Sequence, residues 1–210
     1  MRLKVLLLLV AVLLCGSLSA LDFYAGAKIG PGAVFVYGDD TDDYDTAAGM
    51  SLGVYGMFSP MKFFAVQAEF NYEMKGASGE LDYGVATASG RQYLHYLSIP
   101  VIAKAVLPVK IVTVMPYAGL NFSFLANANY KGTTTIFGVD SNYEDDNKDD
   151  FETFDMGVLF GAEAFISVTK NIFVSADLRF ELSFLAIDDG RDSDVYNGTF
   201  YALFGAGYKF

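Results

Sequence analysis

His95 is the only histidine of the chain, and it stands in the stretch "YLHYLSIP". A serine–histidine hydrolase or a histidine-dependent acyltransferase needs such an imidazole beside a nucleophile and an orienting acid. His95 instead keeps step with Leu97, Ile99, Val101 and Ala103, so it sits on an apolar row and reads as an interfacial residue. Loop acids such as Asp39 or Asp188 could serve an aspartate-based protease, but no motif singles out a pair. A zinc site needs more than one histidine and one cysteine, Cys15.

Carboxylates are the abundant reactive groups. "DDTDDYDTAAGM" and "DSNYEDDNKDDFE" offer many oxygens, yet neither has the glycine and terminal glutamate spacing of an EF-hand loop. They read as solvated loops. "GAKIGPG" is no nucleotide motif, because no helix follows it. No catalytic, metal or cofactor set is therefore expected. Nucleic acid is excluded as a partner by the negative charge of the loops.

A second group of charges behaves differently. Glu69 and Glu73, Asp155 and Glu163, and Asp177, Arg179 and Glu181 fall on alternate positions of otherwise apolar stretches. Lys28 and Lys104 sit the same way in theirs. In "FFAVQAEFNYEMK", Phe64, Val66, Ala68, Phe70, Tyr72 and Met74 alternate with Ala65, Gln67, Glu69, Asn71, Glu73 and Lys75. Strand side chains point to opposite faces in turn, so each stretch is a two-faced strand. The pattern returns at 112–126, 151–168 and 171–185, and similar strands fit 22–37, 47–58, 93–105 and 198–210. That makes eight. Gly30, Pro31 and Gly32 mark an expected bulge or bend in the first. Short connections near 59–62, 106–111 and 169–171 alternate with long ones near 38–46, 76–92, 127–150 and 187–197. Short turns at one end and long loops at the other describe an all-β, eight-stranded antiparallel up-and-down transmembrane β-barrel. An even strand number puts both termini on the short-turn, periplasmic side.

A soluble periplasmic ligand-binding barrel would alternate too, with its apolar rows inward. Three features favour the inverse. The apolar rows are bulky, whereas the polar rows are rich in Gly, Ala and Ser, which suits an interior only wide enough to be filled by side chains. The four long loops hold 17 acids against Arg91, Lys131, Lys148 and Arg191, leaving the strands and short turns near balance. Mixed signs on the polar rows then read as a paired network in the lumen, since unpaired charges there would be costly. Its expected members are Lys28, Glu69, Glu73, Lys104, Asp155, Glu163, Asp177, Arg179 and Glu181, with Arg179 paired to at least one carboxylate. Last, the chain ends "YALFGAGYKF", and Gly205, Tyr208 and Phe210 resemble the C-terminal signal of bacterial outer-membrane barrels. That signal implies outer-membrane lipids and the barrel assembly machinery as partners. The acidic loops offer a surface for some other macromolecule, and the barrel is expected to be a monomer.

The first residues, "MRLKVLLLLVAVLLCGSLSA", have a basic start, an apolar run and small residues near the end. This is the layout of a cleaved signal peptide over 1–20, leaving 21–210 as one barrel domain. Leu14 precedes Cys15 where a lipoprotein signal has a small residue, which argues against acylation.

"YLSIPVIAKAVLPVKIVTVMPYAGLNF", "FDMGVLFGAEAF" and the "FGAGYKF" end together resemble the PorT-like family of outer-membrane β-barrel domains. Ser98 fills a place where relatives frequently carry an acid. The resemblance implies an outer-membrane location, and for many members no defined activity. The architecture also resembles the OmpX/OmpA type of small barrel. Inward glycines at 26, 53, 119, 157 and 205 leave a second reading, a narrow cation-preferring pore.

Overall fold

The structure is a computed structural model. It describes residues 22–39, 41, 43–82, 86–137, 139–187 and 194–210. The signal peptide expected over 1–20, with Cys15, lies outside these residues, as does Asp188. Among the described residues ten strands form in chain order: β1 (Asp22–Gly38), β2 (Ala47–Met61), β3 (Phe64–Asp82), β4 (Ala86–Ala105), β5 (Leu107–Val109), β6 (Val112–Ile136), β7 (Val139–Asp146), β8 (Phe154–Ser167), β9 (Ile172–Ser183) and β10 (Val195–Lys209). Eight close into an antiparallel ring, β1–β2–β3–β4–β6–β8–β9–β10. The ring shuts where β1 meets β10, from Tyr24 opposite Lys209 to Gly38 opposite Val195. Closure leaves no open ladder in lipid. The two extra strands are accessory: β5 pairs with β6 at a short turn, and β7 extends β6 at the opposite end.

The facing of the rows is unambiguous on β3. Gln67, Glu69, Asn71, Glu73 and Lys75 are buried, while Val66 and Phe70 are exposed by 39% and 53%. The same holds on β9, where Asp177, Arg179 and Glu181 are each 1% exposed and Leu178 is 56% exposed. A soluble barrel with inward apolar rows is the opposite arrangement. The belt of outward Phe, Leu, Ile and Val is what a hydrocarbon surround requires.

Two expectations are corrected. The stretches 76–92 and 127–150 are not open loops. β3 and β4 stay paired out to Asp82 and Thr87, and β6 pairs with β7 out to Ile136 and Val139. Apolar alternation marks lipid on one face only. Beyond the membrane both faces of a hairpin meet water, so the pattern fades while backbone pairing continues. Gly76, at φ 123°, sits where the pattern fades on β3. The bulge or bend expected at Gly30–Gly32 brings no register shift: β1 runs evenly against β2 from Ile29 opposite Leu52 to Ala33 opposite Ala48, and the β1–β10 ladder skips Gly30 and Pro31 and resumes in step at Gly32 opposite Tyr201. Gly32 serves close packing instead, because a methyl there would collide with the Tyr201 ring. A register shift lies between β4 and β6, after His95–Asn127 and before Tyr96–Leu125, besides one at the β2–β3 turn between Phe58 and Met61. The β4–β6 shift leaves Ala126 unpaired and resets the inward row to Ala128.

The lumen is layered. At the short-turn end Tyr55, Met57, Ala65, Met115, Phe165 and Phe173 pack together, with Tyr24 and Val106 against them. At the long-loop end Leu94, Tyr96, Leu125, Ala128 and Ile187 form a second apolar layer, backed by Val36, Phe151 and Val195. The charged residues lie between them.

Candidate functional site

Arg179 on β9 anchors the lower half of the lumen. Its Nη1 donates to Glu69 Oε2 at 2.8 Å and its Nη2 to Glu69 Oε1 at 2.7 Å, a two-pronged pair across the barrel. Nη2 also reaches Asp177 Oδ2 at 3.3 Å. Lys28 on β1 donates to Asp177 at 2.8 Å and lies 3.0 Å from Glu163 on β8, which also pairs with Lys104 on β4. Neutral groups complete the shells: Tyr117 donates to Asp177 at 2.6 Å, and Gln67 and Asn71 donate to Glu69. Arg179, Lys28 and Lys104 balance Glu69, Glu163 and Asp177.

The upper half is not balanced. Lys75 Nζ lies 2.5 Å from Glu181, 3.7 Å from Glu73 and 3.7 Å from Asp155, so one ammonium faces three carboxylates. Asn121 donates to both Glu181 and Glu73, Ser98 to Glu73, and Ser183 and Asn197 to Asp155. Glu73 Oε1, Asp155 Oδ1 and Glu181 Oε2 have no protein donor. Lys75 is absent from the network expected from sequence, although its spacing from Glu69 and Glu73 puts it on their row. All nine expected members do enter these two clusters.

The remaining candidates lie elsewhere. His95 faces outward, with Nδ1 2.5 Å from the Tyr72 hydroxyl and Nε2 3.3 Å from Asn129 Oδ1. Its ring stacks with Tyr72 and Tyr93, as at a membrane interface. Among the described residues no group of three His, Cys, Asp or Glu could hold a metal ion. Tyr208 on β10 and Phe210 just after it project outward with their rings edge to face at 5.1 Å, whereas Gly205 packs near Lys28 and Ser175.

A closed antiparallel ring, a polar filled lumen and an apolar outer belt define a transmembrane β-barrel of the outer-membrane kind. The family described as "Outer membrane protein beta-barrel domain" matches residues 19–188, and the chain belongs to it. The protein is thus an integral outer-membrane barrel. Among solved structures, a major outer membrane protein from Thermus thermophilus is 16% identical, with 91% of this chain and 100% of that one covered and a TM-score of 0.50. Neisserial surface protein A is 18% identical over 90% of this chain and 97% of its own, with a TM-score of 0.46. Ail, the attachment invasion locus protein of Yersinia pestis, is 16% identical over 89% and 98%, with a TM-score of 0.41. At these identities the likeness is one of fold. No curated protein matches the chain.

Proposed function

We propose that this protein is a sealed, non-enzymatic barrel with a structural or surface-interaction role, its termini in the periplasm and its acidic loops outside the cell. The observation that carries the reading is the layered lumen: ion-paired charges closed off by an apolar layer at each end. Such a lumen gives the barrel rigidity rather than a water path, which weighs against the narrow cation-preferring pore. The resemblance to PorT-like barrels enters as kinship only, and no residue here carries a secretion role. On this reading the barrel works as a monomer, and the C-terminal strand with Gly205, Tyr208 and Phe210 is what the assembly machinery engages.

Protease treatment of intact cells tests the topology. With a tag inserted just before Asp22, which leaves the C-terminal strand intact, proteinase K is expected to cut within 38–46 or 187–197 and leave the tag protected in a carbonate-resistant membrane fraction. Recovery as a soluble protein, or loss of the tag from intact cells, would overturn the reading.

A further inference from the structure

Above the outer apolar layer the protruding hairpins enclose a cavity of about 590 Å³. This is within the roughly 300–1,000 Å³ of small-molecule sites. Leu94, Ile187, Val195, Val36 and Phe151 contribute its apolar part. Tyr130 and Tyr143 form its aromatic wall, with ring centroids 5.8 Å apart and planes inclined by 35°. Glycines shape that wall. Gly90 and Gly132 face each other across β4 and β6, and Tyr143 faces Gly132 across β7. A methyl on Gly90 would collide with the Tyr130 ring, and one on Gly132 with the Tyr143 ring. The missing side chains let both phenol rings lie close against the sheet where they line the cavity. Tyr44 adds a third phenol to the lining.

The charge around this cavity is one-sided. No Lys, Arg or His is among its described lining residues, whereas Asp43 and Glu80 are. Asp145 lies opposite Tyr130 in the β6–β7 ladder and so shares its face. The two bases of the protruding sheet, Arg91 and Lys131, pair with each other in register on the opposite face. There Arg91 lies over the Tyr93 ring at 4.4 Å and Lys131 bonds Glu144 at 2.9 Å. The hydrogen bond with Tyr143, and then burial, raise the Tyr130 phenol above its ordinary pKa.

We propose that this mouth cavity binds a small organic cation, an ammonium group carried on an apolar body. The ring faces of Tyr130, Tyr143 and Tyr44 attract the positive end, since an aromatic face is the negative pole of its quadrupole. The apolar floor takes the body, and the acidic loops concentrate cations at the entrance. With Asp43 and Glu80 and no base among its described lining residues, the aromatic pocket favours a cation over an anion. The proposal names the ligand class for the surface role above, and rests on that reading only in that this mouth opens outside the cell.

The test is calorimetric titration of the purified barrel in non-ionic maltoside detergent with benzyltrimethylammonium, beside benzyl alcohol and benzenesulfonate. Saturable one-to-one binding of the ammonium is expected, about tenfold or more tighter than either comparator. Tyr130→Leu with Tyr143→Leu should weaken it about tenfold, because two ring faces are lost. Tyr130→Phe with Tyr143→Phe should retain it, because the faces remain. Heat-dependent gel mobility shows whether each variant is folded, and the comparison of three probes on the unmodified barrel needs no variant. Absence of saturable binding, equal binding of the sulfonate, or indifference of the folded leucine variant would overturn the proposal. Orientation is read separately by protease shaving, so failure of one reading is not mistaken for failure of the other.

Discussion

Replacing Arg179 with methionine lowers the stability of the folded barrel by about 3–5 kcal/mol, the range for removing one partner of a buried pair. The effect is large because of what stays behind. Glu69, 5% exposed, loses both prongs of the guanidinium and keeps only Gln67, Asn71 and a distant Lys28 at 3.9 Å. Asp177 keeps Lys28 and Tyr117. The lower cluster passes from charge balance to one excess carboxylate, in a compartment closed above and below by apolar side chains. A methionine fills much of the volume, so the loss reports charge rather than a cavity. Urea unfolding from lipid vesicles measures it. An unchanged midpoint would mean that water already solvates Glu69, and would favour the pore.

Lys75→Met is the second large change, of about the same 3–5 kcal/mol. Here the native cluster already holds Glu73, Asp155 and Glu181 against one ammonium, and the substitution leaves the three acids facing each other. Lys75 also stands over the Tyr96 ring at 5.2 Å, so its loss strips the boundary with the outer apolar layer. A double-mutant cycle isolates the charge term. Adding Glu181→Gln to Lys75→Met is expected to recover part of the loss, because the carboxylate closest to the missing ammonium becomes neutral. If the double variant is less stable than Lys75→Met by the full cost of Glu181→Gln alone, the two residues are not coupled and the cluster is wrongly drawn.

The alternation of Phe64 to Lys75 and its repeats made the strand number, the closure and the facing of the rows legible in the sequence. Period two is a local property, imposed by lipid on one side and a filled interior on the other. What was illegible depends on height along the barrel. Met57, Met115, Phe165 and Phe173 interrupt four separate inward rows, and only strand register brings them to one level as a layer. Leu94 and Leu125 do the same at the other mouth, where Ile187 joins them from the connection after β9. Lys75 lies on the inward row but at the edge of the apolar pattern, which stops where lipid stops while the strand itself runs on to Asp82. The pairing of Arg179 with Glu69 joins residues 110 positions apart, and no spacing rule selects Glu69 over Glu163 or Asp155.

On the proposed reading the lumen is sealed, with charges inside and an apolar belt outside. Cys15 is the sole cysteine and lies in the expected signal peptide, so spin labels on single cysteines along β3 can be read without background. The measurement is the collision of each label with oxygen, which enriches in lipid, and with a polar nickel chelate, which stays in water. At Val66, Ala68, Phe70 and Tyr72 the expected result is high oxygen and low nickel access. At Gln67, Glu69, Asn71 and Glu73, on variants shown to be folded, little access to either reagent is expected. Nickel access at Glu69 and Asn71 would contradict the seal, and oxygen access in the opposite phase would contradict the facing of every strand.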